Sequence, residues 1–545
     1  MPSKRNFTSS IKIDPGRSVP VLFFCLYALL GITICPDYGI SWDENVQRRH
    51  GLVSADYVNE QFGNFLGLEE KLVPEESLNT YHQPYYGILF SITGFFLEQI
   101  FDYEHNGDQF LIRHYLSFAL FFLGMCALYQ IGCWRFKDWK LALLGVLLVV
   151  LSPRLFGNSF YNPKDIPLLA WFIISTWTML RMLNTGRVYW VLLHGIATAA
   201  VINTRVLGTL IFAATIALCI IDLIKDHNQL PRKILMLVGY VVVASGFTVF
   251  FWPYLWEAPL ENFIYCFEVM SKFPQVLYPH YLGDFFPSTQ VPWHYVPVWI
   301  LITTPIITSL LAIFGGGLTI HRLIKNNIFI YRTPKEQADL MFLGLACLPI
   351  LAVIGLDSNL YDGWRQMYFV FPFWALLAVR AVKYFQKWHM TRLIVAGLLT
   401  VQLTYTAFQM AEMHPHQNVY FSALAGTNPT DNFDGDYWGL CYKQLLETLA
   451  EINQREKGPI PVRAKFTPGP ALHNLGALPH EIKMKFTYNF DKEPPYYYLT
   501  NFRTPEVLYA FQEGKPPFDK GVYILKIQGN PIGGIFWIES GKVAD

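Results

Sequence analysis

Three short stretches carry residue types able to do acid–base or anion chemistry. The first is Asp43–Glu44, within DYGISWDENVQRRHG, a few residues beyond an apolar run. Adjacent carboxylates beside a membrane are costly unless they are solvated or used. Residues 45–61 read as an amphipathic helix lying on a bilayer. Asp43 then sits near a helix start, where free N–H groups favour a carboxylate. The plainer reading of the pair is an ordinary helix cap. The second stretch is Tyr161-Asn162-Pro163-Lys164-Asp165, a proline turn holding a lysine and a carboxylate together at the end of an apolar run. Its plainer reading is a loop with a snorkelling lysine. Arg154 lies one or two helical turns earlier, at a depth where an arginine needs a partner. The third stretch is Tyr361-Asp362-Gly363-Trp364-Arg365-Gln366, in which Arg365 enters an apolar run. Arg205 also stands at a helix end, but no motif surrounds it, so it reads as a hairpin charge. His82, in TYHQPYY, is flanked by tyrosines, a setting that is more often structural. His414 and His416 have no acidic residue close behind them, so no zinc site is read there.

The elements that must position these residues are membrane helices. Of 545 residues, 52% are hydrophobic and only 15% charged, where a soluble domain carries about 25%. Most of the surface must therefore face something apolar. The aromatic share of 16% suits Trp and Tyr belts at the two headgroup levels. A net charge of +1 gives no footprint for nucleic acid. The eight cysteines show no CxxC or Cys/His metal spacing and read as small apolar residues.

A span needs about 20 predominantly apolar residues. Such runs lie near 19–36, 110–133, 141–156, 166–183, 188–204, 206–224, 234–252, 296–320, 341–356, 366–382 and 392–410, which makes about eleven spans. The first, preceded by Lys4, Arg5, Lys12 and Arg17, reads as an uncleaved signal anchor. Residues 83–101 fit either an interfacial helix or one more span. Lys and Arg fall in alternate loops (Arg135, Lys137 and Lys140; Arg181 and Arg187; Lys225, Arg232 and Lys233; Arg322 to Lys335; Lys383 to Arg392), which marks those loops as cytoplasmic. By the same rule Asn6-Phe7-Thr8, a formal glycosylation sequon, lies inside and is discounted. Three regions are left outside: a large first loop at 37–109, a segment at 253–295, and 411–545. Residues 1–410 thus form a transmembrane domain and 411–545 a soluble outer one. In the latter, Leu445, Leu446, Leu449 and Ile452 recur at helical spacing, and KMKFTYNF, PYYYLTNF and GVYILKIQ read as strands. The fold class is a polytopic α-helical membrane protein with a small C-terminal α/β extramembrane domain.

All three stretches fall at outer helix ends. Carboxylates and cations there describe a membrane-edge cavity. Cations at that depth suit a phosphate carried on a lipid, and a carboxylate beside it suits deprotonation of an attacking hydroxyl. Taken together, Asp43-Glu44 after the first span, the Asn-Pro-Lys-Asp run at 162–165 and the Gly-x-Arg at 363–365 resemble the GT-C class of polyprenyl-phosphate-sugar-dependent glycosyltransferases. Within it the chain is most similar to protein mannosyltransferases and aminoarabinose transferases, the glycosyltransferase family 39-like group. The resemblance implies Asp43 as general base, Glu44 as an orienting group and Asp165 as the second-loop acid. Lys164, Arg365 and Arg154 would bind the donor phosphate, and His82 would contact acceptor or donor. It implies inverting transfer from a polyprenyl-phosphate donor to a glycan, lipid or protein hydroxyl. It leaves open a divalent cation, Mg or Mn, on Asp43, Glu44 and Asp165. The region 411–545 is not the β-trefoil of eukaryotic protein mannosyltransferases, and His-Gln-Pro (82–84) stands where relatives carry Lys-Pro-Pro.

A lipid-linked sugar translocase is the rival reading. Transporters place polar residues near the midplane and show repeats or broken helices. Here the charges cluster at outer ends and no repeat is visible. The expected setting is a bacterial inner (plasma) membrane with the C-terminal domain on the periplasmic or extracellular side, the endoplasmic reticulum being the alternative.

Overall fold

The computed structural model describes residues 14–539 except residue 69, residues 102–105, 226–229, 272–274, 328–329, 455–457 and 466–468, and residue 492. Lys4, Arg5, Lys12 and the sequon Asn6-Phe7-Thr8 lie outside the described residues.

The chain opens with α1 (Pro15–Ile34), followed by α2 (Trp42–Gln61) and α3 (Leu89–Phe101) in the first outer segment. The bundle continues with α4 (Asn106–Phe136), α5 (Trp139–Val150), α6 (Pro153–Tyr161), α7 (Asp165–Thr185), α8 (Val188–Thr204), α9 (Thr209–Lys225) and α10 (Leu230–Phe251). After α11 (Pro259–Ser271) and a small hairpin, β1 (His280–Tyr281) and β2 (Asp284–Phe285), come α12 (Tyr295–Thr303), α13 (Ile306–Asn326), α14 (Pro334–Gly355), α15 (Phe371–Phe385) and α16 (His389–Glu412).

Among the described residues nine helices are long and apolar enough to cross a membrane, and the bent pair α5–α6 makes a tenth. The apolar run at 141–156 is broken because Pro153 has no N–H to continue α5; it starts α6 instead, at 71° to α5. Thr304–Pro305 splits the 296–320 run in the same way, into α12 and α13. The run at 188–204 folds as a 17-residue helix, about 26 Å long. It still joins the two ends of the bundle, since Arg205 at its finish meets Asp165 at the start of α7. The ambiguous stretch at 83–101 resolves as α3, only 13 residues, so it is too short to span. Its Glu98 is buried against Arg113 (2.6 Å) and Arg48 (3.0 Å). Nor does α2 merely lie on a surface. Gln47, His50, Val53, Ser54 and Tyr57 are all buried, and Asp56 accepts the N–H groups of Leu72 (2.9 Å) and Val73 (2.8 Å).

The basic loops gather at one end of the bundle. Arg135 there makes two hydrogen bonds to Asp339, at 2.6 and 2.5 Å, and Arg380 meets the same carboxylate. Lys225 donates to the Tyr331 carbonyl at 2.7 Å, and Arg322 pairs with Glu336 at 2.6 Å. The three chemically suggestive stretches all lie at the opposite end.

The C-terminal region sits at that opposite end too. It contains α17 (Cys441–Ile452), α18 (Pro470–Ala477), α19 (His480–Lys483) and α20 (Pro505–Gln512) around a five-stranded sheet. The strands are β3 (Ile460–Ala464), β4 (Phe486–Tyr488), β5 (Tyr496–Thr500), β6 (Gly521–Ile527) and β7 (Asn530–Ile538), in the order β4-β3-β5-β7-β6. β3 runs parallel to β4 and β5; β7 runs antiparallel to β5 and β6. The predicted helix is α17, whose apolar face buries Leu445, Leu446 and Leu449 but leaves Ile452 half exposed. The sheet is tied to the first outer segment. Asn474 accepts the Ile40 N–H and donates to its carbonyl, both at 2.9 Å, and the Trp42 N–H donates to the Trp438 carbonyl at 3.1 Å.

The tightest helix contact crosses α13 and α15. A Cβ on Gly315 would stand 1.9 Å from the Leu377 carbonyl oxygen, whereas Gly317, half a turn on, faces open space. Gly315→Val should therefore cost about 1–3 kcal/mol or more by forcing the helices apart. Gly317→Ala should leave stability unchanged or raise it. Thermal unfolding of both variants in detergent checks this, and equal melting temperatures would contradict the packing argument.

Candidate active site

Each stretch becomes a helix start. Asp43 is the second residue of α2. Asn162 shapes the next turn: its side-chain oxygen accepts the N–H of Lys164 (3.2 Å) and of Asp165 (2.9 Å), and its amide donates to Asp165 Oδ2 (3.0 Å). Pro163 cannot enter that turn as a donor, so the chain leaves α6 and restarts as α7 with Asp165 as its first residue. Before α15, Asp362 (φ 57°) and Gly363 (φ 70°) both take the left-handed conformation, a sharp turn that Asp tolerates better than most residues. The Gly363 N–H is held by the Tyr295 hydroxyl at 3.1 Å, and Arg365 follows at the start of a 3₁₀ turn leading into α15.

These starts converge on one buried network. Arg365 Nη1 lies 3.3 Å from Asp43 Oδ2 and 3.1 Å from Asp165 Oδ2, and its Nη2 lies 3.1 Å from Asp362 Oδ2. Lys164 Nζ is 3.3 Å from the same Asp43 oxygen. Arg205 Nη2 reaches Asp165 Oδ1 at 2.5 Å, and Arg503 Nη2 reaches Asp362 Oδ1 at 2.8 Å. Aromatic faces support the cations. The Arg365 guanidinium lies 4.6 Å from the Trp438 ring and 5.2 Å from that of Tyr361, and Lys164 lies 4.7 Å from Tyr86.

Asp43, Lys164, Asp362 and Arg365 line a cavity of about 530 Å³, a size that takes a small ligand or part of a larger one. Its other wall is the C-terminal region, with Tyr442, Asn501 and Arg503. Burial pushes the Asp43 carboxyl up, but Lys164 and Arg365, helped by Arg205, outweigh it and hold the group at about 2. It is therefore a carboxylate at any working pH, masked by cations rather than by a proton.

Four of the residues singled out in the sequence meet here: Asp43, Lys164, Asp165 and Arg365. Three do not. Glu44 turns away and caps α2, accepting the Ser41 N–H at 2.6 Å and pairing with His114 at 2.8 Å. Arg154 is buried behind the cavity, donating to the Tyr420 carbonyl at 2.9 Å under the rings of Trp299 and Phe421. His82 points outward with 64% of its side chain exposed, 3.8 Å from Glu76; its neighbour Gln83 lines the cavity instead. The proposed cation site fails on the same geometry. Asp43 and Asp165 are taken up by Lys164, Arg205 and Arg365, Glu44 faces His114, and no group of three or more acidic, His or Cys side chains converges among the described residues.

Sequence reasoning set Arg205 aside as a hairpin charge, whereas it pairs with Asp165; it gave Asp362 no role and missed Arg503. Arg205 breaks the positive-inside pattern just as Arg365 does, and that signal could have found it. Arg503 follows a strand in the C-terminal region and carries no comparable signal.

Because Glu44 serves the fold, Glu44→Ala should lower stability by about 0.5–2 kcal/mol for the cap alone. Glu44→Gln, which can still accept the Ser41 N–H, should recover most of it. Melting temperatures in detergent read the difference. Equal losses in both variants would place the stabilisation in the His114 pair instead.

Residues 98–252, from the end of α3 through α10, match the family model described as dolichyl-phosphate-mannose-protein mannosyltransferase. No curated protein matches the chain. Among solved structures, ArnT from Cupriavidus metallidurans bound to undecaprenyl phosphate is similar over 95% of this chain and 98% of that one, at 12% identity and a TM-score of 0.51. The same protein in its apo state aligns over the same shares at 12% identity and a TM-score of 0.48. At that identity the likeness is one of fold. The matched segment contains the Asn162–Asp165 turn and Arg205, two parts of the buried network beside the cavity. The family model over this segment and the shared fold over nearly the whole chain agree with the GT-C resemblance read in the sequence.

Proposed function

We propose that the chain transfers a sugar from a polyprenyl-phosphate donor to an acceptor hydroxyl on the non-cytoplasmic face of the membrane, with inversion and with Asp43 as general base. The observation that carries this reading is the sharing of Lys164 and Arg365 by Asp43, at the rim of a cavity at the non-basic end of the bundle. A lipid phosphate competes for those two cations. As it takes them, Asp43 loses the charges that depress its basicity and becomes a stronger proton acceptor. The acceptor oxygen forms its bond to the anomeric carbon while the bond from that carbon to the phosphate oxygen breaks. The electron pair leaves on polyprenyl phosphate, facing Lys164 and Arg365, and the acceptor proton goes to Asp43. Asp165, Arg205 and Asp362 hold Arg365 in place. The undecaprenyl phosphate in the similar ArnT structure and the dolichyl-phosphate-mannose description of the family model both support a polyprenyl-phosphate donor. The sidedness of Lys and Arg supports a non-cytoplasmic face for the cavity and the region 411–545: the periplasmic or extracellular side of a bacterial inner membrane, or the endoplasmic reticulum lumen in a eukaryote.

The test is transfer of radiolabelled sugar from polyprenyl-phosphate donors in membranes. Asp43→Asn should lower the rate about 10²–10⁴-fold. A chelator should leave the parent unchanged. Asp43→Asn working at the parental rate would sink the base assignment.

The pH profile tests the cation arrangement. With the free carboxyl near 2, kcat/KM of the parent should show no acid limb from Asp43 between about pH 4 and 7. Lys164→Met removes a cation while burial stays, so the Asp43 pKa rises. The base is then protonated at higher pH, and an acid limb should enter the measurable range. Parallel profiles for parent and variant would show that Lys164 does not face the base.

A further inference from the structure

At its outer end the main cavity adjoins a smaller recess, and the two share Asp434, Tyr437, Asn501 and Arg503. The recess lies between the β1–β2 hairpin, the loop at 430–437 and the C-terminal sheet. Its free space is about 30 Å³, room for one water or one small substituent. Three buried polar atoms on its lining have no hydrogen-bond partner: His280 Nε2, Thr430 Oγ1 and Asp434 Oδ2. Their residues are 2%, 8% and 7% exposed. A buried polar atom left unpaired is destabilising, and most in folded proteins are satisfied. Three around one small space, beside a substrate-sized cavity, describe a binding surface awaiting its partner.

The backbone fixes this surface. Asp434 Oδ1 accepts the His280 N–H at 3.2 Å, and the Asp434 N–H donates back to the His280 carbonyl at 3.2 Å. That leaves Asp434 Oδ2 for a guest, beside the His280 ring, which the backbone of Gly283 and of Phe433 also approaches. Asp431, Asp434 and Asp436 outnumber Arg503 in the lining, so an anionic guest is disfavoured. A hydroxyl, which both donates and accepts, suits a carboxyl, an imidazole and a threonine together.

We propose that this recess is a subsite for an uncharged, hydroxyl-bearing substituent of the reacting glycan, held by His280, Thr430 and Asp434. It rests on the transferase reading. The hydroxyl belongs either to the transferred sugar or to the acceptor.

Burial raises the Asp434 carboxyl to about 7, helped by Asp362 and opposed by the His280 N–H, Arg503 and Arg154. Burial also lowers His280 below its usual value. Below about pH 7 the subsite therefore holds a protonated carboxyl able to donate, and above it an ionised one that only accepts.

The experiment is the membrane transfer assay on the full chain, using a polyprenyl-phosphate hexose as probe, with Asp434→Asn, Thr430→Val and Thr430→Ser. Melting temperatures are recorded beside the rates. Transfer by Asp434→Asn and Thr430→Val should fall about ten-fold or more with melting temperatures near the parent's, and Thr430→Ser should restore it. A raised donor KM assigns the hydroxyl to the transferred sugar; an unchanged donor KM with a lower saturated rate assigns it to the acceptor. A fall in parental activity as pH rises through about 7 should be absent in Asp434→Asn. Parental rates in both variants, or losses that follow melting temperature alone, would reduce the recess to a structural water site. Collapse of transfer in Asp43→Asn with no effect of the recess variants would overturn only the subsite. A parent with no transfer at all would overturn the transferase reading and the subsite with it.

Discussion

The outer end of the molecule is organised around Arg365. Arg365 is 3% exposed, and its guanidinium meets three carboxylates, Asp43, Asp165 and Asp362, from three separate parts of the chain. A buried cation of this kind is tolerable only when paired and hydrogen-bonded. The planar five-donor fork of arginine can serve three acceptors at once, which a lysine ammonium cannot do in the same geometry. Each carboxylate also has a second cation: Lys164 for Asp43, Arg205 for Asp165, Arg503 for Asp362. Four cations thus face three carboxylates, so the cluster carries one positive charge in excess. A small anion entering it would compete with Asp43 for Lys164 and Arg365, and the excess cation offsets part of that competition.

The helices reinforce that sign. α2, α7 and the turn leading into α15 all begin at this cluster, so the partial positive charge of three N-termini gathers there. Asp43 lies in the first turn of its helix, where that field favours the ionised form. α15 then runs to the opposite end, where Arg380 and Arg135 share Asp339 across α15, α4 and α14. One helix is therefore fixed at both ends by arginine–carboxylate nodes. A strut anchored in this way transmits little rotation, and it sets the depth of Arg365 relative to the bundle.

Much of this was legible in the sequence because it rests on local rules. The alternation of Lys and Arg among loops placed Asp43, Lys164, Asp165 and Arg365 at one end before any distance was known. The Asn-Pro turn placed Lys164 and Asp165 together at the end of an apolar run. What could not be read was direction. Asp43 and Glu44 are neighbours in sequence, yet a helix sends adjacent side chains about 100° apart, so one faces the cavity and the other His114. Arg154 reads as a cation in want of an anion, but it lies under two aromatic faces and donates only to a carbonyl, with its Nη2 left without a partner. The interior strands β3 and β7 escaped notice for a related reason. Both are covered by neighbours, so they lack the alternation of a half-exposed strand, and their Pro461, Pro531, Gly533 and Gly534 resemble turn signals. Gly533 is there because α17 packs against it: a Cβ would stand 3.0 Å from Cys441 Sγ.

The same network explains why the outer region belongs to the machine and is not merely attached to it. Asp362 sits at positive φ in a turn that neither a β-branched nor a bulky residue would accept. Three contacts keep it there: the Tyr295 hydroxyl on the Gly363 N–H, Arg365 on one carboxylate oxygen, and Arg503 on the other. Arg503 is itself braced by the Tyr437 carbonyl at 3.0 Å, beside Trp438, whose ring covers Arg365. The wall built by residues 411–539 is therefore in direct ionic contact with the turn that sets Arg365, and through Arg365 with Asp43. A shift of that wall changes the field at the carboxylate, and an anion arriving at the carboxylate changes the load on the wall. The two sides of the cavity are one electrostatic unit, and each positions the other.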